Sequence, residues 1–222
     1  LKLNPEYKLF VAIGDNWNRS KIVEYILSLV PQAEFVSAIH PSAQIAKEVN
    51  IGKGTAIMAG AVINSSTNIG DFAIIYTNSS LDHDNILGNY ASLAPNAATG
   101  GNVVIGEFSA VGIGACIKHG VKMGSNCVLG GGSVLLKNCN DDELLYGVPA
   151  KPIRKREKGE KVSSHRSHVC LAPLVIHDDR AQKVRAVCVC AASGRSRSLW
   201  RGATRGRRWR GWSICTRGDS AL

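Results

Sequence analysis

The sequence predicts an all-β fold, a parallel β-helix, and three regularities carry that prediction. From Ile39 to Leu135 every sixth residue is aliphatic or Met at sixteen of seventeen positions, with Thr99 the exception. Four residues after each comes a small or β-branched residue, from Ala43 to Cys139, with Asn85 the exception. Gly52, Gly70, Gly88, Gly106 and Gly124 recur once in every third hexad, so three hexads make one unit. A phase held this long marks a repeat architecture, in which each unit buries its apolar side against its neighbours.

The unit reads as a triangular coil of three short strands. The aliphatic and small residues point inward, and Gly sits where backbones turn or approach closely. Residues 37–139 supply five to six coils, which stack at about 4.8 Å each into a prism about 25 Å long. An amphipathic helix would need apolar spacings of three and four, and its glycines would cost about 1 kcal/mol each. A β-sandwich would alternate by two, with turn signals every ~8–12 residues. Neither keeps a phase of six.

Ahead of the prism, in residues 1–36, Leu9–Gly14 reads as a buried strand. Asp15-Asn16 reads as a turn and helix cap, and Arg19–Val30 as an amphipathic helix. Residues 140–156 form a terminal cap segment. Residues 157–222 lose the period and read as a basic tail expected to be disordered. The chain's net charge of +10 divides as +1 over residues 1–156 and +9 over 157–222, so the basic character belongs to the tail. Its Arg/Trp clusters, such as Arg207-Arg208-Trp209-Arg210, are the one feature suggesting nucleic acid. With 45% apolar and 20% charged residues, the 222-residue chain is neither disordered throughout nor fibrous. No run approaches the ~18 apolar residues of a membrane span, and no secretory leader is expected.

The hexads, followed by Gly147-Val148-Pro149-Ala150-Lys151-Pro152, resemble those of the hexapeptide-repeat acyltransferases. That resemblance, which covers about residues 9–156, implies a left-handed coil, against the usual right-handed crossover. It also implies a homotrimer with acetyl-CoA, as acyl donor, in the cleft between neighbouring prisms. Asp82-His83-Asp84, followed by an aliphatic-Gly pair, closely resembles the catalytic segment of bacterial sialic acid O-acetyltransferases and UDP-4-amino-sugar N-acetyltransferases. On that likeness His83 is the general base and Asp84 its helper, acting on an amine or hydroxyl of a sugar or nucleotide-activated sugar. The flanking carboxylates suit this role by orienting the imidazole and raising its basicity.

Gly101 stands three hexads after His83, so stacking sets it beside the imidazole, where its N–H could face a thioester carbonyl. Gly112, Ile113 and Gly131 resemble the backbone strip of the pantetheine groove, and Lys151 is positioned to meet CoA phosphates. Members of the subfamily place a small βαβ domain before the prism. Gly14, Asp15, Asn16 and Arg19 resemble the retained half of its nucleotide-sugar pocket, and the Gly-rich half is absent. Two departures stand out. Ser92 replaces a second His commonly found nine residues after the first, and Thr99 breaks the aliphatic row beside the site, which predicts a local distortion.

Two other readings share the scaffold. A γ-class carbonic anhydrase needs three His on zinc; His83 and His119 have suitable spacing, but Gly124 stands where the third is expected. A non-catalytic scaffold subunit would leave the Asp-His-Asp segment unexplained. His40, beside Pro41, reads as a capping residue. Cys116, Cys127 and Cys139 show neither a disulfide nor a metal pattern, which suits the cytoplasm. None stands beside His83 as a nucleophile, so direct transfer in a ternary complex, without metal or acyl-enzyme, is expected.

Overall fold

The structure is a computed structural model that describes residues 8–161 and the strands 186–191 and 212–215. It opens with β1 (Lys8–Val11) and α1 (Asn16–Leu29). Seventeen two-residue strands follow, one in each hexad, from β2 (Ala38–Ile39) to β18 (Val134–Leu135). Then come β19 (Glu143–Gly147), β20 (Ala150–Lys155), β21 (Ala186–Ala191) and β22 (Trp212–Cys215).

Each of the seventeen strands pairs in parallel with the strand three hexads away, as Ile57 with Ile75 and Leu87 with Ile105. Three faces result. The first runs β2-β5-β8-β11-β14-β17-β19-β20, the second β3-β6-β9-β12-β15-β18, and the third β4-β7-β10-β13-β16. The aliphatic row lines the interior, with Ile57, Ile75, Leu81, Leu93 and Leu129 fully buried, and the small row fills the space between.

The repeat departs from the expected count at its end. Cys139 bridges Met123, two positions closer than three full hexads, and β19 pairs with Val128–Leu129 in the same register. The last corner is thus shortened by two positions. Cys139 stands in the large-residue row instead of the small one, and coiling continues to Leu145, which is buried. A second irregularity lies where Thr99 predicted it. Strands β9 (Ser80–Leu81) and β12 (Ala98–Thr99) share one register pair, Ser80 with Ala98, whereas every other neighbouring pair of prism strands shares two.

Three edges separate the faces, and every sixth residue from Glu48 to Gly132 turns an edge with positive φ. Gly54, Gly60, Gly114, Gly120 and Gly132 do this without strain, while the other ten positions carry side chains. The glycines that recur in every third hexad serve a different purpose. A Cβ at Gly52 would lie 2.5 Å from Asp71 N, and one at Gly106 2.5 Å from Ser125 N. They permit close approach of successive coils.

On the third edge the turning residues Phe72, Tyr90 and Phe108 stack with ring centroids 5.2 and 5.1 Å apart. Trp17 of α1 stacks on Phe108 at 4.2 Å, and Phe35 meets Phe72 edge-on at 5.0 Å. Phe10 and Ala12 pack on Ala38, Ala56 and Ile74 of the first face, while Val11, Ile13 and Val23 pack around Phe72. The βα unit is thereby joined to the prism. Asp15 caps α1, its Oδ1 accepting from Asn18 N at 2.9 Å. At the prism's start, His40 Nδ1 accepts from Ser42 N at 3.1 Å.

Arg19 and Asn16, expected at an acceptor pocket, are instead buried in this joint. Arg19 donates to the carbonyls of Phe72, Tyr90, Ile13 and Gly14 and to Asn16 Oδ1, which occupies all five of its N–H groups. Asn16 Nδ2 donates to the carbonyls of Phe108 and Ser109. Burial lowers the Arg19 pKa to about 10.

At the other end, Arg156 is buried and donates to Asn126 O and Glu160 O. In the region expected to lack order, β21 runs parallel to β1 and β22 antiparallel to β21, giving a three-stranded sheet. The Arg/Trp clusters around Trp200 and Arg207 lie outside the described residues. No helix among the described residues is long and apolar enough to cross a membrane.

Arg19→Met would orphan several buried carbonyls at ~1–3 kcal/mol each. It should lower the unfolding free energy by about 3 kcal/mol or more in urea titration. An unchanged midpoint would deny Arg19 its role in the joint.

Candidate active site

His83 projects from the second edge, in the corner that follows β9. Asp84, next to it, is one of the turning residues, with φ 57°. That turn brings its carboxylate back, so that Asp84 Oδ2 lies 2.7 Å from His83 Nδ1. A carboxylate oxygen can only accept, so Nδ1 carries a proton, and in the neutral ring Nε2 keeps its lone pair. Both side chains are about half exposed. The bond to Asp84 holds the His83 pKa above its ordinary value, with help from the charge of Asp82.

Asp82 has a different task. Its Oδ1 accepts from His83 N at 2.8 Å and from Asn64 Nδ2 at 2.9 Å. The Asn64 bond and the His83 amide hold the carboxyl below the usual carboxylate range. His83 O accepts from Asn102 N, and Asp84 N donates to Ser65 O, so the corner is tied to the coils on both sides.

Gly101 lies under the imidazole, as the three-hexad spacing predicts. A Cβ there would sit 2.5 Å from both Cε1 and Nε2 of His83. With no side chain between them, His83 and His119 approach to 6.2 Å between ring centroids, although two coils apart. Among the described residues, no three of His, Cys, Asp and Glu gather as metal ligands.

The residues expected along the pantetheine groove collect on the first edge. A Cβ at Gly112 would lie 2.6 Å from Gly131 N, and one at Gly131 would lie 3.3 Å from Ile113 O. Ile113 is 64% exposed. Tyr146 covers Gly130 and is the register partner of Lys151, which puts Lys151 at the end of the same strip. This strip and His83 stand on different edges, with the second face between them, so a single chain does not bring them together. Gly14 and Asp15, half-buried, remain at the end of β1, while Asn16 and Arg19 are closed off.

The sequence reading missed the aromatic column. Its signal was present as Phe72, Tyr90 and Phe108 at three-hexad spacing. It also missed that the two exceptions to the hexad, Asn85 and Thr99, are bonded to each other, Asn85 Nδ2 donating to Thr99 Oγ1 at 2.6 Å.

Residues 102–137 match the family described as bacterial transferase hexapeptide (six repeats). A search of the curated proteins gives no match. Among solved structures, PerB from Caulobacter crescentus, in complex with CoA and GDP-perosamine, is 42% identical. Its TM-score is 0.64, over 66% of this chain and 70% of PerB. The acetyltransferase domain of PglB from Neisseria gonorrhoeae is 34% identical, with a TM-score of 0.65 over 68% and 74% of the two chains. WeeI from Acinetobacter baumannii is 26% identical, with a TM-score of 0.64 over 68% and 74%. PerB, at 42% identity and with 70% of its length covered, is similar enough to show the family. The chain belongs to the hexapeptide-repeat acyltransferases.

Proposed function

We propose that the chain transfers an acetyl group from acetyl-CoA to the amino group of a nucleotide-activated sugar, with His83 as general base. The observation that carries this reading is the Asp84–His83–Gly101 arrangement. It comprises a fixed tautomer, a free Nε2 and bare backbone beneath it. The relatives named above support the acceptor class. PerB is bound to CoA and GDP-perosamine, and a related structure is a GDP-perosamine N-acetyltransferase with the same two ligands. An amine is therefore preferred here to a hydroxyl, and a nucleotide sugar to free sialic acid.

In the proposed step His83 Nε2 takes the proton that the acceptor amine loses as its nitrogen bonds to the acyl carbon. Asp84 stabilises the imidazolium formed. The Gly101 backbone N–H faces the carbonyl oxygen as negative charge develops. As the C–S bond breaks, the imidazolium returns the proton to the leaving sulfur. The products are the N-acetyl sugar and CoA, with no acyl-enzyme.

The first edge suits the donor. Bare backbone at Gly112 and Gly131, beside the exposed Ile113, would lie along a pantetheine chain, and Lys151 would meet the phosphates. Because this strip and His83 occupy different edges of one prism, the reading includes a homotrimer in which one protomer's strip faces its partner's base. Gly14 and Asp15 remain as acceptor contacts; the side chains of Asn16 and Arg19 have no free donors for the role. A CoA thioester and a nucleotide sugar are both cytoplasmic metabolites, which supports that location.

CoA release would be followed with acetyl-CoA and a panel of nucleotide-linked amino-sugars and sialic acid. His83→Ala should cost ~10²–10⁴ in rate, and full turnover in that variant would exclude His83 as the base. The neutral imidazole is the active form, so kcat/KM should rise with pH through the raised His83 pKa, with a midpoint above about 6.5. Asp84→Asn should move that midpoint to lower pH and reduce the plateau; an unmoved midpoint would separate Asp84 from the base. Gly101→Ala drives a Cβ into the tip of a half-exposed side chain. The fold should persist, with Tm within about 2 °C. Displacing the ring should cost on the order of 10² in kcat.

A further inference from the structure

Asn85 and Thr99 are the two breaks in the hexad rows, and both side chains are buried. Thr99 Oγ1 accepts from Asn85 Nδ2 at 2.6 Å, and Asn85 Oδ1 accepts from Val103 N at 2.7 Å. Thr99 Oγ1 also accepts from Asp82 N at 3.3 Å. That last contact is unusual for this edge. The residue opening the equivalent corner elsewhere gives its N–H to a backbone carbonyl of the next coil, as Asn64 to Leu81, Gly100 to Ile117 and Lys118 to Leu135, each at 2.9 Å. Asp82 gives its N–H to a side chain instead. The pairing of Leu81 with Thr99 is the one missing between β9 and β12.

The consequences fall on the residue before the base. The carbonyl of Asp82 accepts from Thr67 Oγ1 at 2.9 Å, its N–H goes to Thr99, and its carboxylate holds the His83 amide. Side chains of the two adjacent coils thus fix Asp82 from both sides, and His83 follows from it. We infer that the buried Asn85–Thr99 pair is a positioning device for the base, replacing a regular backbone rung by a side-chain rung so that the His83 corner departs from the repeat. It sets the imidazole over Gly101 and within reach of Asp84. The inference rests on the reading of His83 as general base.

The test is to restore the repeat. Asn85→Ala with Thr99→Val removes both polar side chains together and leaves Val103 N and Asp82 N to take backbone carbonyls, as Ala115 N takes Gly112 O and Gly100 N takes Ile117 O at regular corners, so the variant should still fold. Positioning predicts a fall in kcat of ~10–100-fold with KM for acetyl-CoA changed by less than about 3-fold. It also predicts that the His83 titration, followed by NMR in the full chain, moves down towards the ordinary imidazole value. Thr99→Ser, which keeps the hydroxyl, should retain both parental values.

A folded double variant with parental kcat and an unmoved His83 titration would overturn the proposal. If His83→Ala keeps full turnover, the base reading fails on its own, and the titration still decides whether the pair sets the imidazole. Should the double variant not fold, Thr99→Val against Thr99→Ser gives the same readouts.

Discussion

The structure depends on one backbone requirement, a residue with positive φ at every corner from Glu48 to Gly132. An L-residue pays roughly 1–2 kcal/mol for that conformation, so a prism with fifteen such corners in succession is stable only if each is relieved or offset. Glycine relieves five, and Asn or Asp, which tolerate the region, occupy several more. The remainder must be offset by contacts. Because turning residues of one edge lie three hexads apart, their side chains stack in columns, and Phe72, Tyr90 and Phe108 make the strongest column available to such a stack. Asp84 belongs to the same series. Its tight turn brings the carboxylate back onto the neighbouring imidazole, so the geometry at His83 is a consequence of the corner that the coil requires anyway.

The three edges are chemically distinct as a result. The third carries the aromatic column and the joint to the βα unit. The first turn of α1 reads successive coils along it: Arg19 binds the carbonyls of Phe72 and Tyr90, Asn16 that of Phe108, and Trp17 Nε1 donates to Asn126 Oδ1. Four consecutive coils are thus engaged by three neighbouring residues. The second edge carries the imidazole and the first a strip of bare backbone. A prism cannot bring two of its own edges together, and this division is why the proposed function calls for more than one copy of the chain.

Much of this was legible in the sequence, for a definite reason. A period of three hexads is both a packing rule and a coordinate system, so the contact of Gly101 with His83 follows from subtraction. The same arithmetic failed where the period did. Cys139 kept the small-residue pattern by coincidence after the shortened corner, and only pairing with Met123 reveals the shift. Asn16 and Arg19 were misread because a polar residue after a buried strand looks the same whether it faces a ligand or a carbonyl of a distant coil. Partners far along the chain, Phe72 for Arg19 and Ser109 for Asn16, decided the matter. The aromatic column was visible as a spacing but had no meaning until the turning position of the hexad was known.

A repeat gives every corner the same shape, whereas a catalytic corner must differ from the others. The difference has to be introduced by side chains, and in a β-helix the inward rows are where a substitution acts on the backbone. A single polar residue in those rows would leave a buried group unsatisfied at a cost of ~1–3 kcal/mol. Two that bond to each other avoid most of that cost and can still take one N–H away from the ladder. Asn85 and Thr99 meet this condition, and the rung they displace is the one beside Asp82. The exceptions to the period and the proposed base therefore fall in the same coil for a physical reason: local irregularity is tolerable only as a satisfied pair, and on the proposed reading such a pair sets this corner apart from the others.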